Sequence, residues 1–310
     1  MKKLITVAVP VYNEQTNIQP LYSRTTAVFE GLSAYDYEIV FFDDGSTDGT
    51  RKEIEALCAA DSHVKAVFYS RNFGYSKNIF YAMQQAKGDC AILLHADLQN
   101  PPELIPAFLE KWEAGARIVQ GVKTKSRENK LMFFLRTVYY WLMRVVFGVK
   151  LKPHATEFEL FDRSFLEILR RVKSNVAFLR GLVLEYGSKI EYIEYTQDRR
   201  TKEKTKFNVS KYYDFAMEGI VASSRCLPRR IMGLCGVLLL VLAGETIAFF
   251  AKHAAELSAV ETENAIILRA VLCGVLCVGI LIAFVLEFLI GVLARSGERP
   301  FVDEEKRLNY

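Results

Sequence analysis

The sequence predicts an α/β protein with a mostly parallel sheet, anchored to a membrane by a C-terminal pair of apolar helices. Three observations lead there. Strand-like and helix-like segments alternate over the first 125 residues. The strand segments are apolar almost without a break, as a parallel sheet covered on both faces requires. Near the C-terminus, two runs of more than twenty residues carry one charge each.

Each element follows in order. Residues 4–11 (LITVAVPV) form a short apolar run closed by Asn13-Glu14, a buried strand. Residues 14–32 read as a helix. Residues 37–44 (YEIVFFDD) are a second strand, closed by the turn residues Gly45-Ser46, and 47–60 a helix with Ser46 or Thr47 as its N-cap. Residues 64–70 are a third strand and 75–87 a helix ended by Gly88. Residues 90–95 (CAILLH) are a fourth strand, apolar enough to be covered on both faces. Pro101-Pro102-Glu103 opens a further helix with proline in its first turn. Residues 117–122 (RIVQGV) are the fifth strand.

Residues 231–251 hold 21 residues with Glu245 as the one charge, and 270–294 hold 25 with Glu287. At about 1.5 Å per residue, either run crosses a hydrocarbon core of about 30 Å. A buried soluble helix is the competing reading. Against it, each Leu, Ile, Val or Phe favours insertion by roughly 0.3–0.6 kcal/mol, so a dozen outweigh one acid costing about 3. Arg229 and Arg230 precede the first run, and Arg295, Arg299, Lys306 and Arg307 follow the second. The connection between them is poor in Lys and Arg. Both ends therefore face the cytoplasm. The expected organisation is a cytosolic domain over 1–228, a transmembrane hairpin over 229–296 and a cytosolic tail over 297–310, in a multi-pass protein of the cell (inner) membrane. Glu245 and Glu287 then face a partner helix or a lipid-phosphate path, or pack within an oligomer. The N-terminal Met1-Lys2-Lys3 and the apolar run after it lack a cleavage pattern and read as a strand, not a signal peptide.

Segments 131–149 and 208–226 read as interfacial helices lying on the bilayer, with a core helix as the competitor for the first. Residues 117–152 carry nine Lys/Arg against one acid, Glu128. Composition narrows the class further. With 51% hydrophobic and 12% aromatic residues the chain is not disordered. Six cysteines in 310 residues are too few for a disulfide scaffold and suit reduced thiols. A net charge of +4 gives no argument for nucleic acid.

In parallel α/β sheets, ligands bind at the carboxyl ends of the strands. Here those ends carry Asn13-Glu14, Asp43-Asp44, Arg71-Asn72 and His95 through Gln99, a crevice suited to a polar, metal-bearing ligand. Neither G-x-G-x-x-G after the first strand nor a P-loop motif occurs, so a dinucleotide fold and a P-loop are disfavoured.

Four motifs in order, PVYNE (10–14), DDGSTDGT (43–50), SRNFG (70–74) and ADLQNPPELIP (96–106), resemble glycosyltransferase family 2 with its nucleotide-sugar-binding GT-A fold. With the C-terminal hairpin, the whole chain resembles the polyprenyl-phosphate glycosyltransferases. That group includes dolichol-phosphate mannose synthases and bacterial undecaprenyl-phosphate glucosyltransferases. The resemblance implies inverting transfer of a hexose, glucose favoured, from a nucleotide-diphosphate sugar, UDP favoured, to a polyprenyl phosphate at the cytosolic membrane face. A different lipid or glycan acceptor, or a non-catalytic nucleotide-sugar-binding scaffold, is the alternative. It also implies a divalent cation (Mg²⁺ or Mn²⁺), a homo-oligomer and a separate flippase.

The resemblance places Pro10, Tyr12 and Glu14 in the nucleoside pocket, Asp44 on the base with Asp43 beside it, and Arg71 near the nucleotide. Either acid otherwise reads as a helix cap, and Arg71 as a solvated side chain. Where the family shows Asp-Ala-Asp-Leu-Gln, this chain reads His95-Ala96-Asp97-Leu98-Gln99. Asp97 and Gln99 remain as oxygen ligands. His95 either ligates the metal, shifting preference towards Mn²⁺, or contacts a phosphate or ribose, or marks a crippled enzyme. Glu157 takes the place of the acid in a Gly-Asp-Phe-like motif and orients the sugar or the acceptor, or is a surface acid beside a strand. Arg200, Thr205 and Lys206 match the basic stretch of the family, while Glu203 stands where it has Gly. That stretch suits a lipid phosphate or the donor diphosphate, or simple attraction to anionic headgroups.

Overall fold

The structure, a computed structural model, describes residues 2–125, 152, 155–172, 179–196, 260–295 and 302–310, with six isolated helical positions between 237 and 248. Its elements run β1 (Lys3–Val11), α1 (Gln15–Glu30), β2 (Tyr35–Asp43), α2 (Thr50–Ala60), β3 (Val64–Tyr69), α3 (Tyr75–Gln85) and β4 (Cys90–Leu93). A 3₁₀ turn (Pro102–Leu104) leads into α4 (Ile105–Glu113), then β5 (Ile118–Lys125), β6 (Ala155–Asp162), α5 (Arg163–Arg171), α6 (Leu179–Tyr186), β7 (Ile190–Thr196), α7 (Val260–Arg295) and β8 (Glu304–Leu308).

The described strands form one sheet of eight, ordered β7-β5-β6-β4-β1-β2-β3-β8. The central β4-β1-β2-β3 ladder is parallel, and β5 and β7 run the same way; β6 and β8 are antiparallel to their neighbours. Side chains alternate between two cores, as the period of two dictates. Ile5, Val7, Val9, Ile39 and Phe41 face α1, α2 and α4, meeting Ile18, Ile54 and Phe108. Ala8, Val40, Phe42 and Val67 face α3, α5 and α6, meeting Phe80, Phe165 and Val183. Both faces are covered, which is why the strands read as unbroken apolar runs.

Several expectations are corrected. The helix expected over 47–60 starts at Thr50, and neither Ser46 nor Thr47 caps it. Gly49 is at the N-cap position, and Asp48 Oδ1 accepts the Thr50 N–H at 2.9 Å. Ser46 and Thr47 instead bond across to the β1 exit. The fifth expected strand does not extend the parallel ladder directly. β6 returns between β4 and β5, antiparallel to both. Within 297–310, expected as a cytosolic tail, β8 pairs with β3 as the sheet edge.

The expected second span, 270–294, lies within α7, a helix of 36 residues. Among its side chains Val271, Val275 and Ile280 are exposed. Among the described residues, no helix is long and apolar enough to cross a membrane. The expected interfacial helices over 131–149 and 208–226 lie outside the described residues, as does the expected first span apart from the isolated helical positions.

Candidate active site

The exits of β1 and β2 are laced together. Asn13 holds φ 55, a left-handed conformation that Asn tolerates better than most residues. Its N–H donates to Ser46 Oγ at 2.9 Å, and its Oδ1 accepts the Thr47 N–H at 2.8 Å. The Glu14 N–H donates to Thr50 Oγ1 at 2.9 Å, and Glu14 Oε2 accepts from Asn17 Nδ2 at 2.6 Å. Pro10 is buried in β1, while Tyr12 stands exposed at the strand end.

Asp43 and Asp44 end β2, and both are buried. The backbone amides of Phe73 and Gly74 donate to the two oxygens of Asp44 at 2.6 and 3.0 Å. That carboxylate therefore holds the loop before α3. Burial pushes its pKa up to about 6, against the pull of those two amides. Asp43 accepts the Ser46 N–H at 3.2 Å on Oδ1. Its Oδ2 has no hydrogen-bond partner and lies 3.8 Å from Arg51 Nε. Burial raises its pKa as well, opposed by Ser46 and Arg51. Arg71 is exposed, its guanidinium 4.4 Å from the Phe73 ring centroid.

Beyond β4, the Gln99 N–H donates to Asp97 Oδ1 at 3.1 Å. Leu98 between them holds φ 59, a costly conformation for leucine and of the kind that gathers at ligand sites. His95 leans towards α3, its ring stacked on Tyr75 with centroids 5.8 Å apart and Nε2 3.4 Å from the Tyr75 hydroxyl. The Tyr75 residue is 42% exposed, yet its hydroxyl points inward and donates to Glu157 Oε2. Arg180 of α6 meets Glu157 Oε1 at 3.0 Å. Burial alone would raise the pKa of Glu157. Arg180, then His95, with the Tyr75 bond, outweigh it and lower the pKa, so Glu157 is a carboxylate at neutral pH.

Glu157 and Glu159 stand two apart on β6 and so share one face of the strand. Glu159 is fully buried. Gln120 Nε2 donates to its Oε1, while Oε2 has no hydrogen-bond partner. Burial drives its pKa up to about 8. Beside it opens a recess that Lys152, Thr156, Arg180 and Tyr192 also line.

The structure thus links His95 to Glu157 through Tyr75, keeps Asp97 and Gln99 on the loop after β4, and gathers Tyr12, Glu14, Asp43 and Asp44 at the β1 and β2 exits. Arg200, Thr205 and Lys206 lie outside the described residues. Among the described residues no group of three His, Cys, Asp or Glu side chains forms a ready cation cage. Asp97 and Gln99 still fit a hard divalent ion, since such an ion takes oxygen ligands and completes its shell from a diphosphate. Sequence reasoning missed Tyr75 and Arg180. Tyr75 directly follows the SRNFG stretch, a usable signal; Arg180 sits in a helix without a motif, and none marks it.

Comparison with known proteins places this geometry. The family model described as glycosyl transferase family 2 matches residues 6–187. A prophage bactoprenol glucosyl transferase homolog from Escherichia coli (strain K12) is 34% identical over 240 residues, covering 77% of this chain and 78% of that protein. The bactoprenol glucosyl transferase of Shigella phage SfX is 32% identical over 234 residues, covering 75% and 76%. Glucosyl-3-phosphoglycerate synthase from Mycobacterium tuberculosis, solved with Mn²⁺ and uridine-diphosphate-glucose, superposes with a TM-score of 0.50 at 17% identity, covering 71% of this chain and 77% of that one. At that identity the likeness speaks for the fold, a GT-A-like α/β architecture with a mostly parallel sheet. With the family model spanning well over half of its length, the chain belongs to glycosyl transferase family 2.

Proposed function

We propose that this protein transfers glucose from UDP-glucose to a polyprenyl phosphate at the cytosolic face of a membrane, with inversion at the anomeric carbon. The observation that carries the reading is the meeting of His95, Tyr75, Glu157 and Arg180 where the exit of β4 adjoins the start of β6, with Asp97 on the loop after β4 and the laced β1 and β2 exits beside it. The chain's relatives named bactoprenol glucosyl transferases support the acceptor.

The donor lies across the β1 and β2 exits, over Pro10, Tyr12, Glu14 and the Asp43-Asp44 pair, with Arg71 at the rim. Asp97 and Gln99 would hold a divalent cation, Mg²⁺ or Mn²⁺, which when bound offsets the charge developing on the diphosphate leaving group. His95 stacks on Tyr75 and serves the acceptor side with Glu157. No strong general base is needed, because a phosphate monoester is already ionised near neutral pH; catalysis is then positioning and charge neutralisation. Glu157, ionised and fixed by Arg180 and Tyr75, is suited to orient a sugar hydroxyl. Arg200 and Lys206 supply positive charge, and Thr205 a hydroxyl, for the acceptor phosphate.

Membrane attachment rests on the apolar runs. In the sequence, 231–251 and 270–294 each hold one charge in more than twenty residues, a composition that favours insertion. β8 on the edge of the catalytic sheet agrees with a hairpin that returns to the side it left. A two-span anchor makes no pore, so the glucosylated lipid needs a separate flippase, and a homo-oligomer would bury Glu245 and Glu287.

Purified full-length protein should move radiolabel from UDP-[¹⁴C]glucose to undecaprenyl phosphate when Mg²⁺ or Mn²⁺ is present. UDP binding without transfer to any lipid phosphate would overturn the reading in favour of a binding scaffold.

A further inference from the structure

The C-terminal strand reaches the donor side of the site through a bulge. β8 pairs Leu308 with Ala66, Arg307 with Val67 and Lys306 with Phe68, then slips so that Tyr69 meets Glu304. Glu305 is the extra residue of the bulge. In a regular strand Glu305 and Lys306 would leave opposite faces of the sheet; the bulge turns both towards α2. Lys306 Nζ meets Glu55 at 3.0 Å. Glu305 accepts from both ends of the Arg51 guanidinium, at 3.2 and 2.8 Å. Glu304 and Arg307 go the other way, to Tyr81 and Gln85.

Arg51, so held, lies over the Phe68 ring at 4.8 Å and sets Nε 3.8 Å from Asp43 Oδ2. Both atoms are buried and neither makes a hydrogen bond. At that separation they interact as charges only. A buried carboxylate without a cation is costly, and Arg51 is the cation that faces Asp43. On its other oxygen Asp43 takes the Ser46 N–H, and Ser46 and Thr47 are tied to Asn13. Contacts therefore run from Glu305 through Arg51 and Asp43 to the loops at the β1 and β2 exits.

We propose that Glu305 is a positioning residue for the donor: by fixing Arg51 beside Asp43, the C-terminal strand sets the loops that receive the nucleotide. The inference rests on the donor reading above and deepens it. It gives the segment after the membrane anchor a task in binding the activated sugar.

The test uses the full chain in detergent, with calorimetric binding of UDP in the presence of Mn²⁺, donor and acceptor KM, and the melting temperature. Glu305→Gln should weaken UDP binding and raise the donor KM by about 3–5-fold, with the acceptor KM unchanged. Lys306→Gln breaks a neighbouring ion pair of the same strand without touching Arg51, and should bind UDP as the native protein does. The double exchange Arg51→Glu with Glu305→Arg restores the ion pair to α2 but sets a second carboxylate by Asp43. It should melt near the native temperature and bind UDP more than about 10-fold more weakly. Native UDP affinity in Glu305→Gln or in the double exchange would overturn the proposal and leave Glu305 as a staple. Absence of UDP binding by the native protein would instead remove the donor reading, and this inference with it.

Discussion

At the scale of single residues, the site is built from acids in unequal surroundings. Asp44 is occupied by two amides, Asp43 faces Arg51, Arg180 helps lower the pKa of Glu157 against its burial, and burial raises the pKa of Glu159 to about 8. Glu159 has a consequence for pH. Its pKa rises from 4.5 unfolded to about 8 folded, so the folded chain holds a proton that the unfolded chain has lost. Between those values the stabilising effect of that proton is lost as pH rises. Asp44, raised from 3.8 to about 6, acts in the same direction over its own window. Glu159→Gln should therefore lose less melting temperature between pH 5 and pH 8 than the native protein. An identical decline in both would place Glu159 in water. Asp97→Asn should lower turnover by about 100-fold or more while the far-UV circular dichroism stays native, since it removes the one carboxylate charge beside Gln99 that would hold the cation. Unchanged turnover would move the cation site elsewhere.

Among the elements, the strand exits do the positioning, and their closeness leaves little room. A Cβ on Gly45 would lie 2.6 Å from the Arg71 carbonyl carbon and 2.8 Å from the Asn72 nitrogen, and Gly45 holds φ +69. Gly45→Ala should cost about 1–3 kcal/mol of stability through the strained φ alone, and weaken UDP binding by parting the two loops. A melting curve and UDP affinity equal to the native ones would show that the loops can move apart freely. The five expected strands appear in the structure because an apolar run of fixed length between turn residues has few other ways to bury itself. β6 was legible only as a motif around Glu157. Its role as an antiparallel insertion depends on what lies between β4 and β5, which local pattern does not encode. β8 was illegible for a related reason: four of the five residues of EEKRL are charged, and it is held by the backbone ladder to β3 and by ion pairs to α2 across more than two hundred residues.

For the whole molecule, the proposed function sets the catalytic domain against a bilayer. The protein should remain with membranes after alkaline carbonate extraction and leave them only with detergent. Release by carbonate alone would make the attachment peripheral. Removal of residues 302–310 should cost more than the loss of a tail, because it uncovers the β3 edge and frees Arg51 from Glu305.

The sequence by itself determined the alternation of elements, the two covered faces of the sheet, the long apolar runs and the family, because these depend on local periodicity and on short motifs in order. It also brought Asp97, Gln99 and Glu157 forward as candidate site residues from the motifs that hold them. Only the tertiary structure decided that Asp44 is spent on a loop, that His95 leans on Tyr75, that Arg180 helps lower the pKa of Glu157 and that Glu305 reaches Arg51. Each of these depends on which distant side chains share a small volume and on how far water is excluded from it. Burial and charge act through space, and spacing along the chain does not contain them.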